Sequence, residues 1–179
     1  MNRLKVGASA LALIVSGAIT LYSPQVQEHL GELEGEGQNI AYADKVANDI
    51  PTVCKGLTNH VSPEKVIIGD FWSDEKCAEV EKIVVTEGQI SLARCLPDTI
   101  TQDQFDALTL FAHNVGNPMA CASRAVGLIW QGKHYEGCRA LAYSPSNRPV
   151  WSYVGKTYIQ GLHNRRIKEY KICSKGLRQ

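Results

Sequence analysis

Three oxygen-bearing side chains fall within one short stretch: Glu34, Asp44 and Thr52. If a helix end meets a hairpin there, two carboxyl groups and a hydroxyl face one another across a cleft. Such a set suits general acid catalysis with a positioned water. One carboxyl, kept protonated by partial burial, gives its proton to a leaving oxygen, while the other stays ionised to steer water or stabilise an oxocarbenium-like state. Cleavage of a glycosidic bond is the reaction that fits. The plainer alternative is a solvated turn, because Glu, Gly, Asn and Asp in "LEGEGQNIAYADKVANDIPTVCKG", residues 33–56, are also what loops contain.

The elements that must position these groups are readable from periodicity. After Pro24, the residues Val26, Leu30 and Leu33 have helical spacing, and Gly35 and Gly37 predict a stop near Glu34. Ile40, Tyr42 and the run Val46 to Val53 contain β-formers broken by Ala47-Asn48-Asp49 and Pro51, which predicts two or three short strands with Asp49 in a turn. Ser73-Asp74-Glu75 makes an acidic start for a helix reaching about Cys95. Thr101-Gln-Asp-Gln opens a second, closed by Gly116-Asn117-Pro118. Two shorter helical runs, Ser123–Trp130 and His134–Ala142, precede a loop at 143–158 and a last helix from about Gln160 to Cys173. The order predicts an α+β domain dominated by helix, with a small antiparallel β element near the N-terminus.

Composition restricts the partners. In 179 residues, 19 basic against 18 acidic side chains leave no net field for nucleic acid, and three Trp with seven Tyr speak for a packed core. A basic run, Arg165 to Arg178, reads either as a solvated helix face or as a surface for an anionic polymer or membrane. At the other end, Arg3 and Lys5 precede an uncharged run from Val6 to Leu21, the order of an export signal. It is short for a bilayer span and rich in small residues, so a cleaved signal and a retained weak anchor stay equally open on pattern alone. Six cysteines, Cys54, Cys77, Cys95, Cys121, Cys138 and Cys173, imply three disulfides in an exported chain, by any of about fifteen pairings. No Cys-x-x-Cys and no short-range His cluster supports a metal site.

The stretch resembles the signature of the phage-type lysozymes, glycoside hydrolase family 24. Its parts are Glu34-Gly35, Ala41-Tyr42-Ala43-Asp44 and Pro51-Thr52-Val53-Cys54-Lys55-Gly56, and "QFDALTLFAHNVGN" (104–117) and "GLHNRRIKEYKIC" (161–173) are similar to the family's core helix and Arg-Arg helix. The resemblance implies a lysozyme-like fold, with Glu34 as general acid, Asp44 as the carboxylate and Thr52 as the hydroxyl holding water. In the family the tyrosine follows the acid by seven residues, whereas Tyr42 lies eight after Glu34 and six after Glu36. Glu34 is preferred because Leu33-Glu34-Gly35 continues the helical spacing and an extra residue in a Gly-rich turn is well tolerated. Glu36 is the acid if the register differs.

It further implies a cofactor-free endolysin that hydrolyses the β-1,4 bond between N-acetylmuramic acid and N-acetylglucosamine in peptidoglycan for host lysis. Residues 1–25 resemble a signal-anchor-release segment that holds the enzyme at the host inner membrane facing the periplasm until release and refolding, and residues 26–179 form the catalytic domain, a monomer. The alternatives are a transglycosylase acting on the same bond, and a noncatalytic, disulfide-stapled wall-binding protein. Several other side chains have two readings each. Asn114 orients the cleft or caps its helix, and Arg165 and Arg166 pair with a carboxylate near the site or stay exposed. Trp130, Trp151 and Tyr153 pack the core or line a sugar cleft, and His113 and His163 are read as structural.

Overall fold

A computed structural model describes residues 9–34, 38–45 and 48–177, and at positions 33 and 34 the backbone alone. The elements run α1 (Leu11–Val15), α2 (Pro24–Glu34), β1 (Gln38–Asp44), β2 (Ile50–Cys54), β3 (Leu57–Thr58), α3 (Asp74–Ala93), α4 (Gln102–Val115), α5 (Asn117–Cys121), α6 (Arg124–Trp130), α7 (His134–Arg139), β4 (Tyr153–Val154), β5 (Thr157–Tyr158) and α8 (Gln160–Cys173). The expected α+β class holds, and the α2, α4 and α8 boundaries fall within a residue or two of the periodicity reading. The loop expected at 143–158 instead contains the β4–β5 hairpin, whose pairs are Tyr153 with Tyr158 and Val154 with Thr157. Two residues per strand are too few to show a period.

The chain divides into two compact units, one running from Gln27 to Glu87 and the other combining the chain up to Val26 with everything from Gly88. In the first, the sheet has the antiparallel order β1-β2-β3. Its core is Ala41, Val53, Cys54, Leu57, Val66, Trp72 and Val80. Cys54–Cys77 ties β2 to α3. The outer edge of β1 is covered by the segment before α3: Ala41 N–H donates to Asp70 O (2.9 Å), Gly69 N–H to Ala41 O (2.8 Å) and Trp72 N–H to Asn39 O (2.8 Å). An edge strand is thereby closed to further pairing.

The second unit is helical. Thr101 and Gln104 form a reciprocal capping box at the start of α4, as the Thr-x-x-Gln spacing predicts. Ser123 caps α6 by accepting from Val126 N–H. Leu92, Leu96, Phe105, Leu108, Phe111, Ile129 and Leu141 are core residues here, closed by Cys95–Cys121 and Cys138–Cys173. The apolar N-terminal run contributes to this core. Ala10 and Ile19 are buried in it, Leu11, Leu13, Ile14 and Leu21 pack against it, and Ala10 N–H donates to Leu96 O at 2.9 Å. Among the described residues of this run, 9–21, the one helix is the five-residue α1. Among the described residues no helix is long and apolar enough to cross a membrane.

Candidate active site

The turn between β1 and β2 decides where the candidate side chains go. Asn48 and Asp49 both have positive φ, 57° and 58°, a conformation that Asn and Asp tolerate better than other side chains. Asp49 N–H closes the turn on Asp44 O at 2.8 Å. Asp49 is thus the turn residue expected of it. With the turn so formed, Asp44 pairs with Ile50, Ala43 with Pro51 and Tyr42 with Thr52. Pro51, which lacks an N–H, lies just before the β3 ladder, whose pairs are Thr52–Thr58 and Val53–Leu57.

This register sorts the residues by face. Val53 and Leu57, paired across β2 and β3, point into the core with Ala41. Alternation then puts Thr52 with its partner Tyr42, and Asp44 two residues on, on the opposite face. Asp44 and Thr52 are diagonal cross-strand neighbours, a relation that places Cα atoms roughly 7–8 Å apart. Their side chains can therefore share one small molecule. Thr52 is buried, and its hydroxyl donates to Ile50 O at 3.0 Å, which leaves the oxygen lone pairs to accept a hydrogen bond from water. Glu34 is the last residue of α2. Glu36, the acid in the other register, lies outside the described residues.

A cavity of about 370 Å³ in the same unit is lined by Asn39, the Cys54–Cys77 disulfide, Asp74 and Glu81. Neither Asp44 nor Thr52 lines it. Among the described residues no group of three or more His, Cys, Asp or Glu side chains is arranged to hold a metal ion.

Some side chains take positions that neither sequence alternative foresaw. Arg166 is fully buried in the helical unit: it donates through Nη2 to Glu169 Oε1 at 2.6 Å and through Nη1 to Asn114 Oδ1 at 2.9 Å, and its guanidinium lies over the Phe111 ring. Asn114 thus joins α4 to α8 rather than capping its helix. Burial pushes the Glu169 carboxyl up to about 7 despite the adjacent guanidinium, and burial also lowers the Arg166 pKa. The spacing of Arg166 and Glu169, three apart, was the available signal, but a surface helix shows the same spacing. Trp151 packs edge-on against Phe111, and the Trp130 Nε1–H donates to Cys95 O at 2.8 Å. Tyr153 sits exposed on the β4–β5 hairpin. His163 is buried beside Ser152 Oγ, a structural position.

A second polar cluster was missed in the sequence. Gln102 and Thr20 exchange backbone and side-chain hydrogen bonds, Tyr22 N–H donates to Gln89 Oε1, and Ser23 Oγ–H donates to Asp106 Oδ2 at 2.7 Å. Gln89 on α3 and Gln102 on α4 thus pair with the irregular backbone at Tyr22 and Thr20, and Asp106 holds the Ser23 hydroxyl. Nothing short-range marks them, because their partners lie 67 to 83 residues away.

The description "Phage lysozyme" belongs to the family model that matches residues 32–169, a span containing both candidate acids, Asp44, Thr52 and the α8 Arg-Arg pair. The chain belongs to the phage lysozyme family. It is 32% identical over 153 residues to the SAR-endolysin of Pseudomonas phage phiKMV, covering 79% of this chain and 81% of that protein. It is 28% identical over 144 residues to the SAR-endolysin of Escherichia phage N15, with 79% and 77% covered. Among solved structures, a P22 lysozyme superposes with a TM-score of 0.70 at 23% identity, covering 86% of this chain and 98% of that one. Membership makes this phage lysozyme a peptidoglycan-lytic endolysin and a glycoside hydrolase of the muramidase type.

Proposed function

We propose that this phage lysozyme cleaves the β-1,4 bond between N-acetylmuramic acid and N-acetylglucosamine with Glu34 as general acid and with water held between Asp44 and Thr52. The observation that supports this reading is the register of β1 and β2, which sets Asp44 and Thr52 on one face as diagonal neighbours, with the threonine lone pairs left for water. Glu34 protonates the leaving oxygen. Asp44 stays ionised, orients the water and receives its proton, and attack from the side opposite the leaving group inverts the anomeric centre. A transglycosylase would need the acid but could dispense with a water-holding Asp and Thr, so their joint presence favours hydrolysis.

The experiment is a turbidity assay on purified cell walls with Glu34→Gln, Glu36→Gln and Asp44→Asn. Loss of at least about a hundredfold in kcat is expected for Glu34→Gln and Asp44→Asn, in line with removal of a general acid or its partner. Full activity in both Glu variants would sink the assignment; loss in Glu36→Gln alone would move the acid by two residues.

The same reading has the enzyme exported as a monomer, tethered at the host inner membrane through residues 1–25, and active after that segment leaves the bilayer and refolds. Support comes from the weakly apolar run Val6–Leu21 and from the packing of residues 10–21 against the helical core. A run that is only weakly apolar loses little on leaving lipid when a protein core receives it. Sequencing the N-terminus of envelope-bound protein tests the tether: a start after Ala18 or later would eliminate it.

A further inference from the structure

The β4–β5 hairpin and α8 together present an exposed surface that the proposed reaction leaves without a role. Residues 153–160 are all exposed, and among them Tyr153, Val154, Tyr158 and Ile159 are large, mainly apolar side chains. Gly155, with a φ of 57°, and Lys156 form the two-residue turn at the tip. The base is fixed to the unit: Ile159 N–H donates to Ser152 O at 2.8 Å, and the Tyr158 ring lies against buried His163 with centroids 5.9 Å apart. The hairpin therefore projects from a unit whose buried core is built without it, and an exposed apolar surface of this kind marks a contact site. α8 continues the surface. Gln160, Asn164, Lys168, Lys171 and Lys175 are exposed and recur at the spacing of one helix face, whereas His163, Arg166, Glu169 and Cys173 are buried on the opposite face. Hydrogen bonds join the two parts: Tyr158 OH donates to Gln160 Oε1 at 3.2 Å, and Gln160 Nε2 donates to Asn164 Oδ1 at 2.8 Å.

We propose that the β4–β5 hairpin and the lysine stripe of α8 form a docking surface for an anionic phospholipid membrane, separate from the N-terminal run and independent of the catalytic assignment. Charge complementarity carries the choice of occupant. The chain as a whole is near neutral, with 19 basic and 18 acidic residues, yet residues 140–179 hold eight of the basic and one of the acidic ones. That acid, Glu169, is buried and paired with Arg166, so it leaves the surface charge intact. On the neighbouring α4, Asp103 approaches the Lys175 ammonium to 4.0 Å and offsets part of one charge. Lys156 at the tip and the lysines of the stripe meet headgroup phosphates. Tyr153 and Tyr158 take the interfacial depth that amphipathic rings favour, and Val154 and Ile159 enter the acyl boundary. A soluble polyanion would engage the same lysines but leave the apolar hairpin in water. In this state Ala10 and Ile19 are buried in the core of the same unit, so membrane contact passes to the hairpin and α8.

The test measures co-sedimentation of the full chain with phosphatidylglycerol vesicles and with phosphatidylcholine vesicles, and its binding to soluble polyphosphate. Two variants are compared with the parent: Lys156→Gln/Lys168→Gln/Lys171→Gln and Tyr153→Ser/Val154→Ser. Every changed position is exposed, and equal thermal midpoints establish that folding is kept. The parent should bind phosphatidylglycerol vesicles in a salt-sensitive way and phosphatidylcholine vesicles far more weakly. The lysine variant should lose about a hundredfold in affinity for phosphatidylglycerol, roughly fivefold for each lysine. The hairpin variant should lose about tenfold on the same vesicles and keep the parental affinity for polyphosphate. Residues 1–25 are identical throughout, so insertion of that segment cannot produce these differences. Parental vesicle binding in either variant overturns the docking surface, and salt-insensitive binding by the parent overturns it without any variant. A parent that binds polyphosphate but not vesicles overturns the membrane as occupant. So does a parent that dimerises in free solution while the hairpin variant stays monomeric by sedimentation velocity.

Discussion

The two units of this lysozyme solve the same problem, holding polar chemistry in a fold, in opposite ways. Among the described residues of the helical unit the buried apolar cluster has nineteen members, and the pair Arg166–Glu169 is buried in the same unit. Among the described residues of the 27–87 unit the buried apolar cluster is much smaller, seven residues. There the candidates Asp44 and Thr52 lie on the sheet face opposite Val53 and Leu57, and one disulfide with a few turn residues maintains the register. The difference teaches where each kind of sensitivity should lie. Deep polar groups in the large unit should govern stability, while the small unit should respond in activity and local opening.

The largest effect is expected at Arg166. Arg166→Ala leaves Glu169 buried without its partner, which costs about 3–5 kcal/mol, so the denaturant midpoint should fall sharply. Replacing both as Arg166→Met/Glu169→Leu should recover most of that loss. If the single and double variants melt alike, the buried pair is not what distinguishes the large unit.

Next comes the small unit's own staple. Cys54 and Cys77 close a loop with a sequence separation of 23, and replacing both with Ala should cost about 3 kcal/mol, mainly by freeing the unfolded chain. Hydrogen exchange should show the loss concentrated between 38 and 77, with α4 still protected. Uniform loss across both units would break the comparison.

A smaller signal is expected in the pH dependence. Glu169 in the folded chain holds its proton up to about 7, above its ordinary value of 4.5, because of burial. The folded state therefore binds more protons than the unfolded state in that window. Its contribution is complete below about pH 4.5 and is lost as pH rises through about 7. Denaturant midpoints measured from pH 4 to 8 should decline accordingly, and Glu169→Gln should flatten that decline. The smallest effect is at the α4 cap, where Thr101→Ala removes one half of the capping box and should lower stability by about 1 kcal/mol without changing turnover, as measured by thermal melting and the wall assay.

Much of the helical framework was legible because its signals are local. Apolar spacing located α2 and α4, and Thr101 and Gln104 announced their cap three residues apart in the chain. In the β region, Asn48-Asp49 marked the turn, since their side chains favour the conformation it needs. The β4–β5 hairpin was read as loop, being too short for alternation to register. Arg166 was read as a partner for a site carboxylate or as exposed charge, because its helix is otherwise basic and only packing against α4 reveals which face is inside.

By itself the sequence determined the order and type of the long elements, the α+β class, the family signature around Glu34, Asp44 and Thr52, and the even cysteine count that implies disulfides. These follow from propensities and spacings acting within a turn or two of chain. The tertiary structure alone decided that the cysteines pair in chain order, Cys54–Cys77, Cys95–Cys121 and Cys138–Cys173, and that an apolar N-terminal run lies in a protein core. It also decided that Gln89 and Gln102 hydrogen-bond the backbone of Tyr22 and Thr20, that Asp106 takes the Ser23 hydroxyl, and that Asp44 lies diagonal to Thr52 across the β1–β2 ladder. Each of those is a relation between residues distant in sequence, or one residue of strand register, and no local preference specifies either.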